Sequence, residues 1–260
     1  MESKNPIFSR QRQAGQSWGG PTPSPEQLQG MYDAPAYAPP AQRPMTIDDV
    51  VVRGFMTLGT LVVTGAAAWV LNVPLGIAIA CALVGVVLAL IASFKQSTNP
   101  ALILGYAVFY GVFVGALSHT YEMFFNGIVL QAVLGTAFAF GAVLAVHSLK
   151  IIRVTPKLVR FVSAAAIAAL GLMLVNLIVG FFNDGGIGIR TDSPLGWVFS
   201  IAMILLGCFF LLLDFDSIEQ AIRMGAPEKF AWQAAFGLTL SLVWIYLEVL
   251  RFVSYFSSSD

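Results

Sequence analysis

Acidic residues that adjoin long apolar runs are the first candidates for chemistry in this sequence. Asp214 directly follows three leucines in the segment LLLDFDSIEQAIRMG. A charged carboxylate is costly to remove from water, so one placed beside such a run needs a structural or functional reason. On a continuing helix Asp214 shares a face with Ser217 and Ile218, whereas Asp216 and Gln220 point elsewhere. Asp216 is expected to be solvated, and Asp214 fits either a solvated boundary acid or a functional carboxylate.

A second acid lies near the end of the chain, in the segment GLTLSLVWIYLEVLRFV. Ser241 and Glu248 are seven residues apart, which places them on one face of a helix about 10.5 Å apart along its axis. Arg251 follows Glu248 by three residues and could neutralise it locally. The alternative is a carboxylate that faces the interior of a helical bundle. The sequence leaves both readings open.

The other reactive side chains do not form a catalytic or metal-binding pattern. Cys81 and Cys208 lie in apolar runs without metal or disulfide spacing. His119 and His147 fall at the ends of predicted helices on opposite sides, so they cannot join in one site. A serine protease arrangement would need Ser241 near a histidine, and an aspartyl type would need a second acid beside the first. We therefore expect no enzymatic activity, no cofactor and no metal site.

The elements that must position these acids are membrane-spanning helices. Hydrophobic residues make up 57% of the 260 residues and charged residues only 11%, against about 25% charged in soluble domains, and the mean hydropathy is +0.79. A spanning helix needs about 20 mostly apolar residues, and backbone groups in lipid must be paired internally. The sequence predicts an all-α integral membrane protein in a lipid bilayer, with seven transmembrane helices and a disordered N-terminal tail. The predicted spans are residues 51–71, 74–94, 101–117, 127–146, 161–182, 195–213 and 231–253.

The N-terminal region has a different composition from the rest. Residues 1–45 hold eight of the 13 prolines, together with many glycine, serine and glutamine residues. Such a segment cannot bury enough apolar surface to offset the entropy of ordering it. We predict a disordered, Pro/Gly-rich cytoplasmic tail at 1–45 and a seven-helix transmembrane domain at 46–260. The 14 basic and 14 acidic residues cancel, so a nucleic-acid partner is not expected.

Basic residues predict the orientation in the membrane, because lysine and arginine accumulate on the cytoplasmic side. With seven spans, and counting from Arg43 onward, one side receives nine basic residues and the other side receives two. This predicts a cytoplasmic N-terminus and an external C-terminus in the cell (plasma) membrane. The nine are Arg43, Arg53, Lys95, Lys150, Arg153, Lys157, Arg160, Arg223 and Lys229, and the two are Arg190 and Arg251.

Small residues mark two places where the helices must meet or end. Gly111 and Gly115 form a GxxxG pair in the third span, which predicts a close helix contact. The run GAP at residues 225–227 predicts the end of an extension of the sixth helix and the turn into the seventh.

Three segments resemble the Bax inhibitor family, the transmembrane Bax inhibitor motif proteins, and in particular a bacterial branch with a long N-terminal tail. These segments are LLDFDSI at residues 212–218, LSLVWIYLEVLR at residues 240–251, and LGYAVFYGVFVGAL in the third span. The resemblance extends from about residue 51 to the end of the chain. It implies a seven-helix fold with the last helix in the centre.

The resemblance also implies a pH-sensitive leak of calcium ions or other cations, gated by a hydrogen-bonded pair of aspartates from the sixth and seventh helices. Asp214 matches the first aspartate, but Ser241 stands at the position of the second, and Glu248 is a candidate for a relocated acid. Arg251 matches the arginine that ends the family's pattern, and Lys95 is the candidate for its basic residue at the end of the second helix. Asp214, Ser241 and Glu248 are thus predicted to sense protons and gate, with Asp216, Lys95 and Arg251 as accessory residues.

Two functional classes remain open at the level of sequence. The first is a leak that serves ion homeostasis or a stress response. The second is a non-catalytic membrane regulator that binds another membrane protein, such as a quality-control protease.

Overall fold

The computed structural model describes residues 24–25, 43–183 and 185–257, and this part of the chain contains seven long helices. All seven are long and apolar enough to cross a membrane, which confirms the predicted all-α fold with seven transmembrane helices. Apart from residues 24–25 and 43–45, the predicted tail lies outside the described residues. The helices are α1 (Ile47–Val70), α2 (Leu75–Phe94), α3 (Pro100–Phe124), α4 (Ile128–Ser148), α5 (Pro156–Gly180), α6 (Pro194–Arg223) and α7 (Phe230–Ser257).

The beginnings and ends of the helices follow from local sequence. Thr46 caps α1 in a capping box with Asp49, whose carboxylate accepts a hydrogen bond from the Thr46 backbone N–H at 2.9 Å. This cap starts α1 four residues before the predicted span. Helix α6 runs past Asp214 to Arg223 and ends before Gly225, whose φ of 69° suits glycine. The predicted extension of the sixth helix and its end are confirmed.

Glycines let α1 and α3 approach closely, as predicted for Gly111 and Gly115. A Cβ atom added to Gly111 would collide with the Thr64 side chain and the Leu61 backbone, and one added to Gly115 would collide with the Gly65 backbone. Because no side chain separates the two helices here, their backbones are in direct contact.

Helix α7 occupies the centre of the bundle, as the resemblance implied. It packs against α1, α3, α4 and α6, and 44% of its most apolar stretch of 18 residues is buried. In α5 the corresponding fraction is only 11%. Glu248, the single acid of α7, and the polar residues Thr239, Ser241 and Ser254 are therefore buried against other helices, whereas α5 presents most of its apolar surface outward.

Residues 43–45, which were predicted to lie in the tail, pack against the helices. The Met45 backbone N–H donates to the Ala226 carbonyl at 2.8 Å. The Met45 side chain is only 2% exposed and packs with Val50 and Ala231. Burial of this apolar side chain stabilises the contact between the residues before α1 and the turn between α6 and α7.

Candidate functional site

The first candidate centre joins α6 and α7 through Asp214 and Ser241. The Ser241 hydroxyl donates to Asp214 Oδ2 at 2.5 Å. Ser241 is 7% exposed, whereas Asp214 is half-buried. Gly237 lies one turn before Ser241, and a Cβ atom added there would stand 3.2 Å from Asp214 Oδ1. The absence of a side chain at Gly237 leaves room for the carboxylate beside α7.

Asp214 lines a cavity of about 270 Å³, called here the inner cavity. Its polar side chains come from three helices and their connections, because Gln96 follows α2, Ser217 lies on α6 and Gln233 lies on α7. Apolar walls come from Ala92, Phe230, Ala234, Phe236 and Leu240, among others. Asp214 is the one acidic residue among the lining residues, so the cavity carries a single carboxylate with neutral hydrogen-bonding neighbours.

The second candidate centre forms around Glu248, for which the sequence left two readings open. Glu248 is 5% exposed, so it faces the interior of the bundle. Arg190, in the connection between α5 and α6, donates to Glu248 Oε1 at 2.9 Å. Arg251 forms no ion pair with Glu248 in the described part of the chain. Of the two open readings, this geometry matches the inward-facing carboxylate, whose cation comes from a neighbouring connection and not from its own helix.

The sequence did contain a signal for Arg190. It is one of only two basic residues assigned to the side on which the seventh span ends, and Glu248, near the C-terminal end of α7, needs a cation from that end of the bundle. Their separation of 58 residues along the chain hid the pairing. Two further contacts position the Arg190 side chain: the Met173 sulfur at 3.4 Å, and the ring of Phe199, whose centroid lies 6.0 Å from the guanidinium carbon.

Glu248, Arg190 and Arg251 line a second cavity of about 290 Å³, called here the outer cavity. Aromatic residues supply much of its wall, namely Tyr106, Tyr110, Phe113, Tyr121 and Trp244. Three buried polar atoms among its lining residues have no hydrogen-bond partner in the described part of the chain: the Tyr106 hydroxyl, Glu248 Oε2 and Arg251 Nη1.

A layer of apolar contacts lies between the two cavities. Leu240 lines both of them, Tyr106 lines the outer cavity and Phe236 lines the inner cavity. The rings of Tyr106 and Phe236 meet edge to face, with their centroids 5.2 Å apart. We call Tyr106, Phe236 and Leu240 the septum. One layer of side chains therefore separates the Asp214 carboxylate from the aromatic cavity that contains Glu248.

The predicted accessory residues Lys95 and Asp216 do not join either centre. Lys95 is exposed at the end of α2 and forms no ion pair among the described residues, although the adjacent Gln96 lines the inner cavity. Asp216 accepts a hydrogen bond from Gln220 at 2.5 Å on the exposed face of α6. These contacts fit Asp216 as a solvated acid and leave Asp214 alone in the inner cavity.

A third acid, Glu228, lies in the connection between α6 and α7. Arg53 donates to Glu228 Oε1 at 2.5 Å, and Arg43 donates to Oε2 at 3.3 Å. The hydrogen bond from Arg53, followed by the one from Arg43, holds the pKa of Glu228 below its ordinary value of 4.5. This carboxylate joins α1 to the turn that precedes α7. Among the described residues no group of three or more histidine, cysteine or acidic side chains could hold a metal ion.

The architecture defines a polytopic membrane protein in which carboxylates meet other helices around a central last helix. The family described as Bax inhibitor 1 like matches residues 5–258. The chain belongs to this family, which confirms the predicted resemblance and extends it from residue 51 almost to the N-terminus. No curated protein and no solved structure shows a significant match.

Proposed function

We propose that this protein is a pH-sensitive leak for calcium or other cations in the cell membrane, involved in ion homeostasis or a stress response. The observation that carries the proposal is the 2.5 Å hydrogen bond between Ser241 and Asp214, which joins α6 to the central α7. Protonation of Asp214 changes both the charge of the inner cavity and a contact between two helices. No step of the proposed function is catalytic.

The positions of the two cavities support a route for ions. An ionised Asp214 attracts cations into the inner cavity, and Glu248 is the carboxylate of the outer cavity. The septum of Tyr106, Phe236 and Leu240 blocks passage with apolar side chains, for which an ion would have to lose its hydration. The leak conducts only when these side chains separate.

Ser241 changes the form of the pH response that the family resemblance implies. Two neighbouring carboxylates share a proton and titrate as a coupled pair. A serine donates or accepts hydrogen bonds but carries no titratable charge in this pH range. Asp214 therefore responds as a single acid, and the flux should vary with pH as a shallow, one-proton curve.

The test is calcium flux into liposomes that contain only this protein, measured across pH. The parent should conduct with a one-proton pH dependence, and Asp214→Asn, which keeps the shape and removes the titration, should flatten it. Asp216→Asn is the matched control on the same helix and should leave the curve unchanged. Equal flux from the parent and Asp214→Asn at every pH would make Asp214 a boundary acid. A parent without flux would favour the regulator of another membrane protein.

The proposal also assigns the orientation. The nine-to-two distribution of basic residues favours a cytoplasmic N-terminus and an external C-terminus, so the cavity with Arg190 and Arg251 opens toward the outside. Single cysteines introduced by Ser3→Cys and Ser258→Cys should react with an impermeant thiol reagent from opposite sides of the membrane. Labelling of both sites from one side would contradict this arrangement.

A further inference from the structure

The outer cavity contains an ion pair that leaves half of its carboxylate unused. Glu248 Oε1 accepts from Arg190, whereas the buried Oε2 has no hydrogen-bond partner in the described part of the chain. A buried ion pair stabilises a fold best when its geometry is bidentate and the remaining lone pairs are satisfied. The single contact between Arg190 and Glu248 meets neither condition. The unused oxygen belongs to a residue that lines the cavity, where a ligand could reach it.

The charges of the outer cavity oppose the entry of a cation while Arg190 is in place. Its charged lining residues are Arg190, Arg251 and Glu248, and two positive charges and one negative charge leave a net charge of +1. Without Arg190 the sum is zero, and the Glu248 carboxylate would face the cavity without its counter-ion. Arg190 therefore decides whether this cavity repels or accepts a cation.

The Arg190 side chain has a way out of the cavity that does not cross the apolar interior. It is 23% exposed, whereas the Glu248 side chain is 7% exposed. The backbone before it is anchored, because the Ile187 N–H donates to Asn176 Oδ1 at 3.0 Å. The guanidinium can therefore rotate toward water while its backbone stays in place, at the loss of the ion pair and of the contacts with Met173 and Phe199.

We propose that Arg190 is a tethered inhibitory cation of the outer cavity. It occupies the Glu248 carboxylate at which an entering cation would bind, and an external cation gains that carboxylate only when Arg190 swings away. This inference rests on the proposed leak for its role in ion flow. Its local claim concerns access and charge in the outer cavity, and that claim is measurable without flux.

The experiment measures the charge of the cavity with thiol reagents. A cysteine is introduced by Leu247→Cys, which lines the outer cavity beside Glu248, in a background with Cys81→Ala and Cys208→Ala. The readout is the ratio of the modification rates by a cationic and an anionic methanethiosulfonate reagent, and calcium flux is measured on the same samples. Arg190→Gln should raise the ratio about tenfold, as expected for removing one charge from the same partly screened cavity. Calcium flux through Arg190→Gln should also be higher than flux through the parent.

Two further variants make the result specific. Arg223→Gln is the matched control, because it removes an arginine that is also paired with a glutamate, Glu219, but lies outside the cavity. It should leave the ratio unchanged. The charge swap Arg190→Glu with Glu248→Arg keeps the pair and the net charge, so it should return the ratio to within about twofold of the parent. If Arg190→Gln does not fold, the folded swap still tests whether the ratio follows the net charge of the cavity.

The outcomes separate this inference from the proposed leak. A raised ratio in Arg190→Gln, with no flux from the parent or the variant, would support the inhibitory cation and reject the leak. An unchanged ratio in Arg190→Gln, or a folded charge swap whose ratio departs from the parent by tenfold, would reduce Arg190 to a structural role. If parental flux still varies with pH through Asp214 after that second result, the proposed leak stands although the role of Arg190 as an inhibitory cation is rejected.

Discussion

The inner and outer cavities each contain one carboxylate at the central helix α7, but the two carboxylates have opposite kinds of partner. Asp214 is half-buried and receives a hydrogen bond from the neutral Ser241. Glu248 is 5% exposed and receives a guanidinium. An acid with a neutral partner changes the local net charge whenever it binds a proton. Where an acid is paired with an arginine, the net charge of its cavity depends instead on whether the arginine stays in the cavity. The first arrangement suits a response to pH, and the second suits a response to competing cations.

The largest expected effect is a difference in the free energy of unfolding between variants that break the Arg190–Glu248 pair and the Ser241–Asp214 hydrogen bond. Arg190→Gln leaves a nearly buried carboxylate without its cation, which we expect to cost about 3 kcal/mol. Ser241→Ala removes one neutral hydrogen-bond donor from a half-buried acid, which we expect to cost about 1 kcal/mol. Thermal unfolding of both variants in the same detergent at neutral pH measures the difference. Equal shifts in melting temperature would show that burial does not distinguish the two centres.

An intermediate effect should follow when the inner centre is given a second acid. Ser241→Asp places a carboxylate within hydrogen-bond distance of Asp214, and two such groups share a proton and titrate in two coupled steps. The pH dependence of calcium flux should change from one proton to two, with a new step displaced by about 2 pH units or more. Ser217→Asp is the control, because it adds an acid to the same cavity at an exposed position. A one-proton curve in Ser241→Asp would mean that the two carboxylates do not interact.

The smallest expected effect concerns Glu228, an ion-paired acid that remains in contact with water. Its folded-state pKa lies below 4.5 because of Arg53 and Arg43. Its stabilising contribution is therefore complete above the unfolded value and is lost as the pH falls through the folded value. Glu228→Gln should lower the melting temperature slightly at neutral pH, and the difference from the parent should shrink as the pH falls below about 4.5 and vanish below the folded-state pKa. A difference that grows on acidification would contradict this sign.

The sequence predicted the helices well because lipid restricts the choices. Every span must be apolar and helical, so its position follows from composition alone. The ends were less accurate where polar residues continue a helix into water, as in the first turn of α1, where Thr46 and Asp49 form a cap. Met45 was assigned to the tail because its neighbours are prolines, and its burial depends on the turn between α6 and α7.

Only those parts of the site that follow from spacing along one helix or from the family pattern could be predicted from the sequence. Asp214 and Ser241 were singled out from their segments and the family pattern, and the structure brings them together. The partner of Glu248 could not be derived from spacing, because Arg190 comes from a connection whose path depends on tertiary packing. The septum was not predicted either, because Tyr106, Phe236 and Leu240 come from two helices and meet between the cavities only through tertiary packing.

The close approach of α1 and α3 has a mechanical consequence. A Cβ atom added to Gly115 would collide with the Gly65 carbonyl oxygen, so α3, which contains Tyr106, packs directly against the α1 backbone. We therefore expect Tyr106 to stay with α1, and the septum to open by movement of Phe236 and Leu240 on α7 or by rotation of the rings. A covalent bridge between α1 and α3 should leave ion passage unchanged, whereas a bridge between α3 and α7 should stop it.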